Sequence, residues 1–275
     1  MNRDRNSGKI TVMRELSEFH GSEPFREMCN QGISAVAHLI RGAQLGAATD
    51  AKRNVAFGAA ATPQMKGSDM TWIERAAAPL ECEHVILRPL REKDRPLLHA
   101  IAMDPRIWWF FVTRIETDDD FHDWFDRSMR EQQAGRRVSF CITDKRTGTT
   151  AGSMSFSNFA EAELRLEVGG SWIGTAFQGQ GVNRWAKFVL LRHAFEELHA
   201  ERVEFKTDTL NTQARRALRN IGAVEEGVLR SYNFMPGGRR RDAVYYSVLL
   251  REWPEVKQEL LDPAKVVRVA KASAH

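Results

Sequence analysis

Long apolar runs are missing from this 275-residue chain, and cysteine is scarce. No stretch approaches the roughly 20 consecutive apolar residues that a spanning helix needs, and the polar opening MNRDRNSGK does not resemble a secretory signal. The three cysteines, Cys29, Cys82 and Cys141, form no CxxC pair, and no spacing of His, Cys, Asp and Glu suggests a metal site. These absences predict a cytoplasmic protein with reduced thiols, no membrane partner and no metal.

A strong charge of one sign is also lacking. The chain has 40 Lys and Arg against 36 Asp and Glu, a net charge of +4, and the two signs are interleaved. Such an excess mostly reports solubility, so we expect no nucleic-acid partner, although a basic chain would suit a phosphate-rich cosubstrate. Hydrophobic residues at 43% suffice for one large domain with an appendage, or for two small domains.

Residues 1–80 differ in composition from the rest of the chain. An Ala/Gly-rich stretch over 42–61 lacks the large apolar side chains that offset the entropy cost of ordering. We predict an N-terminal extension over 1–80, either poorly ordered or partly helical, with Met70 as an alternative start. A folded domain over 81–262 and a C-terminal tail over 263–275 complete the predicted organisation.

Strand and helix patterns become regular after Cys82. A short strand ends at Pro89, and two helices with one apolar face follow, preceded by Asp94 and Thr117 respectively. The later predicted elements are strands over 138–143, 149–156 and 164–173, a helix over 183–198, a strand over 202–207, a helix over 213–221, and strands over 224–234 and 242–250. This order predicts an α+β fold, a mixed sheet with helices on its faces.

The most informative segment, Trp172-Ile-Gly-Thr-Ala-Phe-Gln-Gly-Gln-Gly-Val-Asn183, lies between a predicted strand and a predicted helix. Its glycines let successive N–H groups point into one concavity, and the helix adds its positive end, so the segment predicts an anion site. A P-loop is excluded because no Lys-Ser/Thr follows the glycines. A dinucleotide GxGxxG motif is disfavoured because Arg184 stands at the third glycine position. A coenzyme A site and an ordinary strand-to-helix turn are the alternatives left.

Gln178-x-x-Gly181-x-Asn183 resembles the pyrophosphate loop of the GNAT superfamily of N-acetyltransferases, with Asn183 in place of the usual small residue. Further segments resemble the ribosomal-protein (Rim-type) branch of that family in matching order. They are Gln-Gly-Gln-Gly-Val-Asn at 178–183, Arg-Val-Glu-Phe-Lys-Thr-Asp at 202–208, Asn211, Gly222-Ala223, Glu-Gly-Val-Leu-Arg at 226–230, Arg241-Asp242 and Tyr246-Ser247. The resemblance covers about residues 83–255. It implies the acyl-CoA N-acyltransferase fold, with about seven mostly antiparallel strands and a splayed central parallel pair.

The resemblance implies acetyl-CoA as cosubstrate and a set of residues that hold it. The expected contacts come from Trp172, Ile173, Gln178, Gly179, Gln180, Gly181, Val182, Asn183 and Asn211. A backbone N–H near Trp172 or Ile173 would serve the oxyanion, and Asn211 is either a cosubstrate contact or a helix cap. Basic candidates for the 3′-phosphate, or else residues of a solvated helix face, are Arg184, Arg215, Arg216 and Arg219.

The implied reaction is direct attack of a primary amine on the acetyl thioester, which calls for a base and benefits from an acid. Glu167 on the central strand is the candidate base, directly or through water, with a structural or substrate-positioning role as the alternative. The Tyr and Ser that supply the acid in relatives are replaced here by Leu218 and Ala214. Tyr232, Ser171 or solvent are therefore the candidate acids.

The sequence thus favours an N-acetyltransferase acting on a protein N-terminus or a small-molecule amine. The missing acids motivate a second hypothesis, a non-catalytic acyl-CoA-binding or regulatory module. Acceptor contacts are expected from the loops over 104–117 and 158–163. Arg239-Arg240-Arg241 in the last hairpin turn either borders the acceptor site or serves solubility, and the aromatics over 108–111 form either an apolar wall there or part of the core.

Overall fold

The structure, a computed structural model, describes residues 70–262, so the predictions for 1–69 and for the tail over 263–275 lie outside the described residues. Eight strands form one sheet in the order β1-β2-β3-β4-β5-β6-β8-β7. The strands are β1 (Leu80–Glu81), β2 (Val85–Pro89), β3 (Arg137–Asp144), β4 (Thr149–Ala160), β5 (Arg165–Ile173), β6 (Arg202–Asp208), β7 (Val224–Phe234) and β8 (Arg240–Leu249). The helices are α1 (Trp72–Ala76), α2 (Arg95–Ala102), α3 (Asp118–Gln133), α4 (Val182–Arg192), α5 (Thr212–Arg219) and α6 (Trp253–Leu261).

Every strand pair is antiparallel except β5–β6, which is parallel and central. The predicted α+β class and the mixed, mostly antiparallel sheet are confirmed. The sheet has eight strands rather than about seven because β1, only two residues long, adds an edge that no alternation in the sequence marks.

The parallel pair separates soon after it forms. Its register joins Arg165 to Arg202, Leu166 to Val203 and Glu167 to Glu204, and then ends. Beyond that point β5 continues against β4 as far as Ile173, while β6 continues against β8 as far as Asp208. We call this divergence the fork; Glu167 lies at its base.

The two faces of the sheet are covered differently. On one face, α4 packs with α1 and α6 over a core that includes Leu166, Val203 and Val244. On the other face, α2 and α3 cover β3 and β4 over a second core, which contains Cys141 and Trp172. Glu167 projects on this second face. It pairs with Ser157 of β4, and Ser157 is on the same side of β4 as Ser153, four residues earlier, which pairs with the core residue Cys141.

The third helix begins where its cap predicts. The Thr117 hydroxyl accepts a hydrogen bond from the Asp120 amide at 3.2 Å, in a capping box that starts α3. The helix predicted over 183–198 is α-helical only to Arg192 and ends in a π-helical turn over His193–Glu197. The short α1 belongs to the packed domain, since Trp72 is buried in its core.

Candidate active site

Glu167 is the charged group at the base of the fork. It is 7% exposed, and its Oε2 accepts a hydrogen bond from Nδ2 of Asn158 at 2.7 Å. The Nζ of Lys206, from the opposite branch of the fork, lies 3.5 Å from the same oxygen. Asn158 has the left-handed backbone angle φ 51°, which asparagine tolerates better than most residues. The carboxylate is therefore held between an amide and an ammonium group, one from each side of the fork.

A second cation is near Glu167 on the β3 side. Arg137 donates from Nη1 to the hydroxyl of Ser155 at 3.1 Å. Gly170 makes room for this guanidinium, because a β-carbon there would lie 3.1 Å from Nη1. Burial lowers the pKa of Arg137, and the negative charge of Glu167 acts against that shift.

Two tyrosines extend the site along β7 and β8. The Tyr232 hydroxyl accepts hydrogen bonds from the Tyr245 hydroxyl at 3.1 Å and from Lys206 Nζ at 3.5 Å. The pKa of Tyr232 is lowered, first by the Tyr245 hydrogen bond and then by the positive charge of Lys206, against an opposing effect of burial. Burial and the donated hydrogen bond raise the pKa of Tyr245. Of the two predicted acids, Tyr232 is thus joined to Glu167 through Lys206.

The other predicted acid, Ser171, is half-buried on β5, and its hydroxyl has no hydrogen-bond partner within residues 70–262. Its neighbour Trp172 is 2% exposed and packs against Trp108 and Trp124, with ring centroids 5.4 and 5.6 Å apart. Trp108 is therefore a core residue, whereas Trp109 is 61% exposed. The core alternative holds for Trp108, and an acceptor wall formed by Trp109 stays a prediction.

The glycine loop connects β5 to α4 through two left-handed positions, Gly179 at φ 72° and Gly181 at φ 86°, which favour glycine. The amides of Gln178 and Gln180 donate back to the carbonyls of Thr175 at 3.3 Å and Phe177 at 3.4 Å. These two amides are engaged within the loop itself.

The first turn of α4 supplies the available donors. The N-cap residue is Gly181, which has no side chain to cap the helix. The backbone N–H groups of the first turn, those of Val182, Asn183 and Arg184, therefore have no partner within the helix. The Asn183 carbonyl oxygen Oδ1 accepts from the ammonium of Lys187, which is 5% exposed and whose pKa burial lowers to about 8. Free N–H groups and the positive end of the helix dipole therefore meet at this end of α4, the arrangement that suits an anion.

Asn211 caps α5. Its Oδ1 accepts from the Ala214 amide at 2.9 Å. The capping alternative is therefore realised in the structure, and a contact of its amide nitrogen with the cosubstrate stays a prediction.

The four arginines that the sequence left as phosphate candidates have different environments. Arg184 is buried and donates to the carbonyls of Glu259 and Leu260 at 2.8 and 3.0 Å, where α6 ends. Arg215 donates to Tyr246 Oη and to Glu225, and Arg219 lies 3.6 Å from Glu225. In the part of the chain that the structure describes, Arg216 is exposed and has no side-chain partner.

The hairpin arginines are not all in a turn. Arg240 and Arg241 belong to β8, and Arg241 is buried, at 7% exposure. Arg239 pairs with Asp208, and Arg240 donates to Ser231. The expectation that all three lie in a hairpin turn is wrong, because β8 begins two residues earlier than the apolar pattern suggests.

These elements fit acetyl-CoA. The fork offers two unpaired strand edges to the amides of a pantetheine arm, and the first turn of α4 offers N–H groups and a positive dipole end to a diphosphate. Residues 70–262 contain no helix that combines the length and apolar character needed for a membrane crossing. Within the same range no group of three His, Cys, Asp or Glu side chains is arranged to hold a metal ion.

Comparison with known proteins agrees with this geometry. Residues 84–224 match the model of the acetyltransferase (GNAT) domain family. The chain is 30% identical to a Bacillus subtilis (strain 168) protein named "Putative ribosomal N-acetyltransferase YdaF". The match spans 177 residues, which are 62% of this chain and 94% of that protein. This chain therefore belongs to the GNAT family and is an N-acetyltransferase.

Two solved structures are also similar. A crystal structure of a "putative acetyltransferase" from T. thermophilus is 35% identical, with a TM-score of 0.60, and covers 72% of this chain and 97% of its own. Mycobacterium smegmatis RimJ in complex with CoA-disulfide shares the fold at 22% identity and a TM-score of 0.57, covering 68% of this chain and 94% of its own. Membership of the family implies acetyl-CoA as the acetyl donor.

Sequence reasoning missed Lys206 and Tyr245 at the fork, and it placed Asn158 in an acceptor loop over 158–163, whereas Asn158 lies on β4 and contacts Glu167. Lys206 follows Glu204 by two residues, so strand alternation places both on one face. That signal was available. The meeting of Lys206 with Glu167 and Tyr232 depends on the register of the four neighbouring strands β5, β6, β8 and β7, which the sequence does not reveal.

Proposed function

We propose that this chain transfers the acetyl group of acetyl-CoA to a primary amine by direct attack in a ternary complex. The single observation that carries the proposal is the position of Glu167, the last residue of β5 that pairs with β6, at the base of the fork. Trp172 and Ile173, beyond the fork, would line the pantetheine arm, with a backbone N–H there for the oxyanion. The amides of Val182 and Asn183 would bind the pyrophosphate.

The cosubstrate contacts proposed around the helix start are Gln178, Gly179, Gln180, Gly181, Val182, Asn183 and Asn211. Because the Gln178 and Gln180 amides donate within the loop, these two residues would shape the site, and the first turn of α4 would make the closest phosphate contacts. Arg216 is the candidate for the 3′-phosphate, since its guanidinium is exposed and unpartnered among the described residues.

Glu167 would take the proton of the attacking amine, directly or through one water. An amine with a pKa near 10 is mostly protonated at pH 7, so removal of its proton is required for attack. Asn158 and Lys206 support this role because they orient the Glu167 carboxylate from both sides of the fork.

Tyr232 would donate the proton to the departing thiolate. The lowered pKa of Tyr232 is closer to the pKa of a thiol, and this favours proton transfer from the phenol to the thiolate. Ser171 is the alternative donor, and solvent is the third.

The acceptor that we propose is a protein N-terminus, with a small-molecule amine as the alternative. The names of relatives support the former: the B. subtilis protein is named as a ribosomal N-acetyltransferase, and a ribosomal protein is therefore a first acceptor to test. The acceptor would approach from the face of Tyr232, whose side chain is 41% exposed.

A non-catalytic acyl-CoA-binding module is the second candidate function. One observation favours it: positions 218 and 214 carry Leu and Ala, and Leu218 is buried at 5% exposure, so neither position offers an acid. Such a module would bind acetyl-CoA tightly without releasing its thiol.

The two candidates are separated by thiol release from acetyl-CoA with peptides, polyamines, aminoglycosides and amino acids as acceptors. We expect release with at least one acceptor class, and a fall of about 100-fold or more in kcat in Glu167→Gln. Glu255→Gln is the matched control, because Glu255 is an exposed carboxylate on α6, outside the fork and the expected acceptor loops. Tight acetyl-CoA binding without release on any amine would favour the module instead.

A further inference from the structure

Arg241 is a buried guanidinium without a partner. The residue is 7% exposed, and its Nε is buried without a hydrogen-bond partner. The two terminal nitrogens make no hydrogen bond to any residue within 70–262. Its neighbours differ in this respect, since Arg239 pairs with Asp208 and Arg240 donates to Ser231. An arginine remains charged in a protein, so this largely buried side chain carries a cation that pairs with no carboxylate within residues 70–262.

Such an arrangement is unfavourable in the free protein. An ion removed from water without a partner loses hydration that a hydrogen-bonded counterion would replace. The ring of Tyr232, with its centroid 6.0 Å from Arg241 Cζ, offers only a weak contact at the limit of cation–π range. The five N–H donors of the guanidinium therefore stay available for a ligand.

Arg241 is on the acceptor side of the fork. On β8, Arg241 precedes Ala243 by two residues and Tyr245 by four, so strand alternation places all three on one face. Ala243 pairs with Asp208 of β6 and Tyr245 pairs with Lys206, so these two residues share that face. Contacts link Arg241 to the proposed base: Arg241 lies next to the ring of Tyr232, Lys206 donates to the Tyr232 hydroxyl, and Lys206 also pairs with Glu167.

The charges along this path do not balance. Lys206 is matched by Glu167 at 3.5 Å, and Arg239 is matched by Asp208. Arg137 on the β3 side and Arg241 on the Tyr232 side are left without a carboxylate partner among the described residues, and Arg241 is the one next to the proposed acid. The pKa of its guanidinium is lowered by burial, and the charges of Asp208 and Glu167 oppose that shift, which places both carboxylates within electrostatic range.

We propose that Arg241 binds a carboxylate of the acceptor, so that the preferred substrate is an amine that carries a carboxylate near its amino group. This inference rests on the proposed function. A carboxylate accepts two parallel hydrogen bonds from a guanidinium and supplies the negative charge that Arg241 lacks. A phosphate dianion would add a second charge close to Asp208 and Glu167, and therefore fits less well.

Two sources of such a carboxylate are distinguished by the acceptors used. One arm of the experiment uses peptides of one neutral sequence with Asp placed in turn at positions one to four, each paired with its Asn counterpart. The other arm uses free amino acids, each paired with its α-carboxamide. We expect wild-type kcat/KM to favour the carboxylate member of at least one pair by about 10- to 100-fold.

The variant Arg241→Gln should reduce this preference to about twofold without changing KM for acetyl-CoA. Arg230→Gln is the matched control, because Arg230 is an exposed arginine in the same hairpin with no hydrogen bond from its side chain among the described residues, and it should keep the preference. Acetylation of amines with equal kcat/KM within every pair would overturn the inference and leave the proposed function standing. No acetylation of any amine would overturn both.

A measurement without turnover tests the same point. Arg241→Met removes the unpaired cation and keeps an aliphatic side chain, so its melting temperature should equal or exceed that of the wild type. A clearly lower melting temperature would identify Arg241 as a structural residue and overturn the inference.

Discussion

The Glu167 carboxylate lies over the α-carbon of Gly169, two residues along the same strand. A β-carbon on Gly169 would lie 2.9 Å from Glu167 Oε1, closer than such atoms approach. The glycine at 169 is thus a condition for the position of the proposed base, and the backbone of the fork and its chemistry are coupled at this pair.

Gly169→Ala therefore displaces the Glu167 carboxylate. Its Oε1 is the far end of a flexible side chain, so the fold should adapt at little cost while the carboxylate leaves its position between Asn158 and Lys206. We expect kcat to fall by about 10- to 100-fold, since misplacing a catalytic group by about 1 Å has that effect. Chemical denaturation should give a free energy of unfolding within about 1 kcal/mol of the wild type.

Gly227→Ala is the control for that change. Gly227 lies on β7, where a β-carbon would meet no atom within 4 Å, so the same substitution leaves the fork untouched. Its φ of 159° is unusual for alanine, so some loss of stability is expected, but the activity of the folded enzyme should match the wild type. Equal activity of Gly169→Ala and wild type would show that the carboxylate need not hold this position.

The pH profile tests Tyr232 as the proton donor. A donor must be protonated, so the alkaline limb of kcat should report its titration. The Tyr245 hydrogen bond lowers the pKa of Tyr232, and Tyr245→Phe removes that bond. The limb should therefore move to higher pH in Tyr245→Phe and disappear in Tyr232→Phe, as measured by initial rates between about pH 7 and 11. A limb that persists unchanged in Tyr232→Phe assigns the donor to another group.

The sequence predicted the parts of this molecule that depend on local patterns. The strands predicted over 138–143 and 149–156, the cap at Thr117 and the helix after the glycine loop each follow from a few consecutive residues, and the structure has all of them. Glu167 was found by its place on the central strand, although its role is still a prediction.

The remainder depends on which strands are neighbours. Asn158, Lys206 and Tyr245 meet around the fork from three different strands, and only the register brings their side chains together. Arg184 was a phosphate candidate in the sequence because it follows the loop, yet its guanidinium binds the end of α6, about 75 residues away in the chain. Long-range packing decides such cases, and no local pattern records it.

Lys187 makes stability depend on pH. Burial lowers its pKa from 10.5 to about 8. Between these values the unfolded chain binds a proton that the folded chain does not, so the free energy of unfolding should rise with pH from about 8 to 10.5, by up to about 3 kcal/mol. Lys187→Met should lack this rise and be more stable than the wild type at pH 7, because it no longer buries an ammonium group.

Urea denaturation at several pH values measures that difference. Lys257→Met serves as the control, since Lys257 is a partly exposed lysine that pairs with Glu196, and its removal should leave the slope with pH unchanged. Identical slopes in wild type and Lys187→Met would contradict the assignment.

Arg216 and Arg184 should behave in opposite ways. Arg216 is exposed and unpartnered within residues 70–262, so Arg216→Gln should weaken CoA binding by about fivefold to tenfold while leaving the melting temperature unchanged. The dissociation constant of 3′-dephospho-CoA should not change, because the lost contact is to the 3′-phosphate. Arg184→Gln removes two hydrogen bonds to the carbonyls that end α6 and should lower stability by about 1–3 kcal/mol. Isothermal titration with both nucleotides and a thermal melt of each variant decide the matter. Equal weakening for CoA and dephospho-CoA in Arg216→Gln would exclude Arg216 as the 3′-phosphate contact.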